Sequence, residues 1–312
     1  MLSRPMYYDR ALHPDFLHTL SASATFAALR ERTHGAWGQP NLAHLDLRNS
    51  RTGPARGSVK LYTGGTAVLE LLGHGSGRIK LRAHATYTAG EDFPTRALRP
   101  AELDERIPWL LGYLDRAATR IQPHYLAGEY RAHAGLVRRY SSEVGPVLPV
   151  DKETKVGFDT RRDTQAFASE LKARFGKVHR ELDLLGVLAD GRIALIELKK
   201  ESEPLRVAAV QVATHVHTFR RLARQHGATA LPRVVDAVVA QKRTLGLLPP
   251  APTRSARTVV VPVIAAPDQR ADWQTRWRSA VHATRLHHRD LLDGLQLWRL
   301  SDDGHILDVV SP

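Results

Sequence analysis

The chain has 312 residues, no cysteine, and 45 Lys and Arg against 32 Asp and Glu, a formal charge of +13. Without a thiol there is no disulfide framework, iron-sulfur cluster, cysteine zinc site or cysteine nucleophile, and nothing points to an oxidising compartment, so a cytoplasmic location is expected. No apolar run approaches the roughly 18 residues that span a bilayer, the first ten residues lack the apolar stretch of a signal peptide, and the length allows two domains. The basic excess divides into +6 over residues 1–150 and +7 over 151–312, which predicts a polyanionic partner, nucleic acid before an anionic membrane surface, held by both halves.

In chain order, residues 14–33 read as a helix, with Pro14 in its first turn and Leu17, Leu20, Ala24 and Ala28 at helical spacing. Alternating segments at 43–48, 58–63, 66–72 and 78–87, separated by glycine turns, predict a meander of hairpins. Pro108 opens a helix to about Ile121, and 126–140 reads as a second one. The stretch 141–162 holds Pro146, Pro149 and a cluster of charges without periodicity, and is taken as the boundary between an N-terminal domain (1–150) and a C-terminal one (151–312).

Asp163 is the expected cap of a helix ending at Phe175, with Phe167 and Leu171 on its apolar stripe. Strands follow at 177–188 and 192–199, then a long helix from Pro204 to His226, β-branched runs at 234–240 and 259–264 read as strands, a helix over 271–292, and a final hairpin at 295–300 and 305–310. The alternation predicts an α/β core behind a β-rich α+β N-terminal domain.

The chemistry is concentrated between Glu181 and Lys200. Asp183, Glu197 and Lys199 interrupt strands that are otherwise strongly apolar, and a charge buried without a partner is costly. Period two places Glu197 and Lys199 on one face, and Asp183 shares a face with Glu181. A two-residue turn at Asp190 and Gly191 would send Asp183 and Glu197 to opposite faces. A three-residue loop, Ala189, Asp190, Gly191, pairs Asp183 with Glu197 and sets Lys199 opposite Glu181; this register is expected, because it leaves the other face continuously apolar. Two facing carboxylates repel unless a cation lies between them, and a hard divalent ion with oxygen ligands fits the requirement. A lysine beside it can hold an attacking water, so the constellation predicts metal-assisted hydrolysis of a phosphodiester.

Asp183, thirteen intervening residues, then Glu197-Leu198-Lys199 resembles the PD-(D/E)XK nuclease superfamily, over about residues 160–240. The resemblance implies a restriction-endonuclease-like αβββαβ core in the C-terminal half. It assigns Asp183 and Glu197 to Mg2+ or Mn2+, Lys199 to the water, Glu170 on the preceding helix to the metal and Gln211 on the following helix to catalysis. Leu182 stands where the motif has proline, and there is little room between Phe175 and Asp183 for the first strand of the usual three-stranded meander, which is expected to be very short or supplied elsewhere. The activity so implied is a Mg2+-dependent deoxyribonuclease, an endonuclease of restriction, repair or defence, with DNA or RNA as partner and a homodimer as one assembly. A second reading is a non-catalytic nucleic-acid-binding or assembly subunit that retains the fold.

Other residues carry plainer alternatives. Glu170 has Arg174 four residues on as an ion-pair partner, and Gln211 also reads as a helix-surface amide. Neither His215 with His217 nor His287 with His288 has the spacing of a helical zinc pair, and surface positions are expected for them. Trp273 and Trp277 share a helix face, which suits core packing more than stacking on bases.

Overall fold

The computed structural model describes residues 6–34, 42–48, 57–75, 77–142, 145–158, 160–179, 181–200, 205–249 and 255–312. After the short strand β1 (Met6–Tyr7), the predicted N-terminal helix is two: α1 (Pro14–Ser21) and α2 (Ala24–His34). The break has a local cause. The Ser23 hydroxyl accepts from the N–H of Phe26, and Asp104 accepts from the Thr25 N–H at 2.8 Å, so the orphan donors of a new helix start are satisfied there. Strands β2 (Ala43–Arg48), β3 (Ser58–Thr63), β4 (Thr66–His74) and β5 (Arg78–Arg82) form the expected antiparallel meander. Helices α3 (Ala85–Thr88), α4 (Pro100–Asp104), α5 (Ile107–Thr119) and α6 (Gly128–Ser142) follow.

The stretch expected to lack regular structure carries a strand, β6 (Val147–Lys155), which pairs antiparallel with β8 below. Its pattern is obscured by a bulge between Pro149 and Asp151 and by charges that are buried rather than solvated. Distant residues make that burial possible. Arg10 donates to Asp151 at 2.9 Å, Asp46 accepts from the Lys152 N–H at 3.0 Å, and Arg48 donates to the Lys152 carbonyl. Side chains of β2 thus occupy the free edge of β6, which would otherwise present unpaired backbone.

Next come β7 (Gly157–Phe158), paired with β1, then α7 (Arg161–Phe175), β8 (Glu181–Leu188), β9 (Ile193–Leu198), α8 (Leu205–His226), α9 (Ala230–Thr244), β10 (Val260–Pro267), α10 (Trp273–His287), β11 (Gln296–Leu300) and β12 (Ile306–Val310). The cap of α7 is Thr160, whose hydroxyl accepts from the Asp163 N–H; Asp163, the expected cap, lies in the first turn. The run 234–240, expected as a strand, is the middle of α9. Val235, Val238 and Val239 fall at helical spacing on its buried face, so burial outweighs their β-branched preference.

Six strands form one mixed sheet in the order β12-β11-β10-β9-β8-β6. β6, β8 and β9 are successive antiparallel neighbours, and β9, β10 and β11 run parallel through the helical crossovers that parallel strands require. Helices cover both faces. Leu185, Val187, Ile193 and Leu195 pack with Ala209, Val212 and Val216 of α8, whereas Leu184, Ile196 and Leu198 pack with Ala132, Leu136 and Val137 of α6. The carboxylates of interest lie on the α8 face.

Candidate functional site

The loop between β8 and β9 is the three-residue one expected from the sequence. Gly191 has φ 86°, its N–H donates to the Leu188 carbonyl at 2.9 Å, and the Leu188 N–H donates to Arg192 at 2.8 Å. The pairs Val187 with Ile193 through Leu184 with Ile196 then set Asp183 opposite Glu197 on the face that α8 covers. Asp183 Oδ2 accepts from the Leu198 N–H at 2.8 Å. Glu197 is 0% exposed; His215 Nε2, from α8, lies 3.0 Å from its Oε1 and Lys199 Nζ 3.5 Å from its Oε2. Neither approach has hydrogen-bond geometry.

Burial first, and then the facing Glu197, push the Asp183 carboxyl up to about 8; burial likewise raises Glu197 to about 7, against the pull of Lys199. Burial lowers His215 to about 4, so at neutral pH it is an uncharged imidazole. The arrangement is a pair of facing carboxyls, both held above the ordinary carboxylate range, beside a neutral histidine and a lysine. Chemically it can hold and share a proton in the protein interior.

The remaining predicted residues lie apart from this pair. Glu170, on α7, contacts His217 Nε2 at 3.0 Å and Arg221, which outweigh its partial burial and hold its carboxyl below the usual range; Arg174, its expected partner, reaches Asp290 instead. Gln211 lies on α8 one turn before His215, with its Oε1 buried and without a hydrogen-bond partner. Glu181 pairs with Lys155 of β6 at 2.8 Å rather than with Lys199. Trp273 and Trp277 meet edge to face at 5.1 Å in the core.

His215 and His217 were expected at the surface, yet both are buried. The signal was present in the sequence: residues 208, 212, 215, 219 and 222 follow three- and four-residue steps, so the apolar stripe of α8 runs through His215. A second buried ionic group also went unread. Lys242 Nζ lies 2.6 Å from Asp46 Oδ1, and although burial opposes ionisation, Lys242 and Arg48 bring Asp46 down to about 2. Lys152 sits 4.3 Å from the centre of the Tyr62 ring, and burial lowers it to about 8. These groups join the two sheets.

The donor set does not fit a metal ion. Among the described residues no group of three or more His, Asp or Glu side chains converges to hold one: Asp183 and Glu197 are a pair, and Glu170, the third ligand implied by the resemblance, is tied to His217 and Arg221. The expected Mg2+ or Mn2+ cofactor is therefore overturned, and with it the Mg2+-dependent deoxyribonuclease.

What the fold defines is a mixed α/β protein, with a six-stranded mixed sheet in its C-terminal region and helices with a four-stranded meander before it. Compared with protein-family models, curated proteins and solved structures, the chain matches none. Among the described residues no helix is long and apolar enough to cross a membrane.

Proposed function

We propose that the chain is a nucleic-acid-binding subunit that keeps a restriction-endonuclease-like scaffold without its hydrolytic chemistry. The observation that carries this reading is the inward closure of the carboxyl pair: Glu197, with no exposed surface, has the chain's own Asp183, His215 and Lys199 for neighbours. The topology supports the scaffold half of the reading. Helix α6, the antiparallel strands β6, β8 and β9, helix α8 and the parallel strand β10 follow the order αβββαβ, with β7 and α7 inserted after the first strand and α9 before the last. In this reading β6 supplies the first strand that the sequence left no room for between Phe175 and Asp183.

The charge supports the partner. A formal charge of +13 accompanies exposed cations at Arg161, Arg162, Lys172 and Lys177 along α7 and the loop after it, the kind of basic stripe that follows a phosphate backbone. Fluorescence anisotropy of labelled single-stranded and duplex DNA and RNA tests it. Binding at about 50 mM salt that weakens steeply toward about 200 mM is expected, unchanged by a chelator. Absence of binding at the lower salt refutes it.

A further inference from the structure

A cavity of about 620 Å³ opens between the β1–β7 ribbon, α7 and α8, within the size range of small-molecule sites. Its apolar wall is made by Phe158, Phe167, Phe219 and Val178; Phe158 and Phe167 meet at 5.2 Å. His179 and His215 supply the polar wall. His215 is 2% exposed, and its Nε2 faces the Glu197 carboxyl at 3.0 Å behind that wall. Burial keeps both imidazoles near 4, hence neutral, and His179 brings one donor and one acceptor nitrogen. The hydroxyls of Thr164 and Thr218 donate to backbone carbonyls, which leaves their oxygen lone pairs as acceptors.

Charge is confined to the rim. Lys155 and Glu181 line the mouth as an ion pair and are shared with a smaller basic and acidic cleft that also contains Arg10, Arg48 and Lys60. Exposed Lys177 adjoins Val178, and α7, which contributes Thr164 and Phe167 to the wall, exposes Arg161 and Arg162 at its start. An aromatic slot with uncharged hydrogen-bonding groups inside and cations outside suits a flat heterocycle attached to a phosphate chain. We infer that this cavity receives one unstacked nucleobase of a bound strand, stacked on the phenylalanines and read by His179 and the threonine oxygens, while the rim cations hold the flanking phosphates.

The inference rests on the nucleic-acid-binding reading and deepens it. The probe is a single strand with a fluorescent purine analogue at one internal position and an anisotropy label at its end, titrated with the full chain. The wild type is expected to change the analogue's fluorescence on binding. Val178→Trp, which fills the slot, and Phe158→Ala, which removes a stacking surface, should abolish that change and weaken single-strand binding about tenfold. Both variants are first checked by circular dichroism and melting, and duplex binding serves as an internal control that should be retained. Strand binding with an unresponsive analogue, and with both variants as tight as wild type, overturns the pocket while leaving the nucleic-acid reading intact. No binding of any strand overturns both. A response to the free analogue nucleotide with none from the strand overturns the assignment to a strand.

Discussion

Replacing Glu197 by glutamine tests whether the carboxyl pair is a cost to the fold. In the fold Glu197 ionises near 7, against 4.5 ordinarily, because burial disfavours its charged form. Asp183 is raised in the same direction, to about 8 from 3.8. Both groups keep protons that the unfolded chain releases, so the stability they contribute is complete below about pH 4 and is lost as pH rises through 7 to 8. For Glu197 alone the loss is under about 1 kcal/mol at pH 5 and about 3 kcal/mol at pH 8. Glutamine keeps the shape, stays uncharged, and its amide can donate to Asp183. Glu197→Gln is therefore expected to be more stable than wild type by about 3 kcal/mol at pH 8 and by less than about 1 kcal/mol at pH 5. Urea unfolding followed by tryptophan fluorescence reads this, since Trp273, Trp277 and Trp298 are buried. A variant no more stable than wild type at pH 8, with the same pH dependence, would show that the buried pair costs the fold nothing.

Three further substitutions probe other parts of the structure. Lys242→Met leaves Asp46 buried without its nearest cation, 2.6 Å away in the wild type, and should cost about 3–5 kcal/mol in chemical denaturation; a cost under about 1 kcal/mol would mean the joint between the sheets is solvated. Gly191→Ala forces a side chain onto φ 86° and puts its Cβ 2.7 Å from the Ser255 carbonyl oxygen, so a loss of at least about 1–3 kcal/mol is expected by thermal melting, and a neutral result would argue for a different turn. Glu170→Ala removes a partly exposed ion pair and should cost at most about 1 kcal/mol without changing nucleic-acid affinity; a large loss of affinity would place Glu170 at the interface.

Much of the frame was legible because its signals are local. The glycine turn after Ala189 and Asp190 determined the register that sets Asp183 against Glu197, and the last hairpin lies where the segments 295–300 and 305–310 were expected to pair. The unread parts depend on residues far away in the chain. β6 looks irregular because Asp151 and Lys152 are polar, and they are buried only because Arg10, Arg48 and Asp46, more than a hundred positions earlier, meet them. The 234–240 run has the composition of a strand but the spacing of a helix, and tertiary burial decided between the two. The register brought Asp183 and Glu197 together, while the metal chemistry expected of them was misread. Facing carboxylates on a sheet suggested a metal ion; in the fold the same pair is closed by His215, and Glu170 faces His217 and Arg221.

The most direct test of the account compares binding with strand integrity in one experiment. Labelled single-stranded, duplex and branched DNA and RNA are incubated with excess protein in Mg2+ and in Mn2+, with binding followed by anisotropy and products by denaturing gel. Saturable, salt-sensitive binding with every strand intact in both metals is expected. Divalent-ion-dependent cleavage that disappears in Asp183→Ala and Glu197→Ala variants with unchanged binding would contradict it.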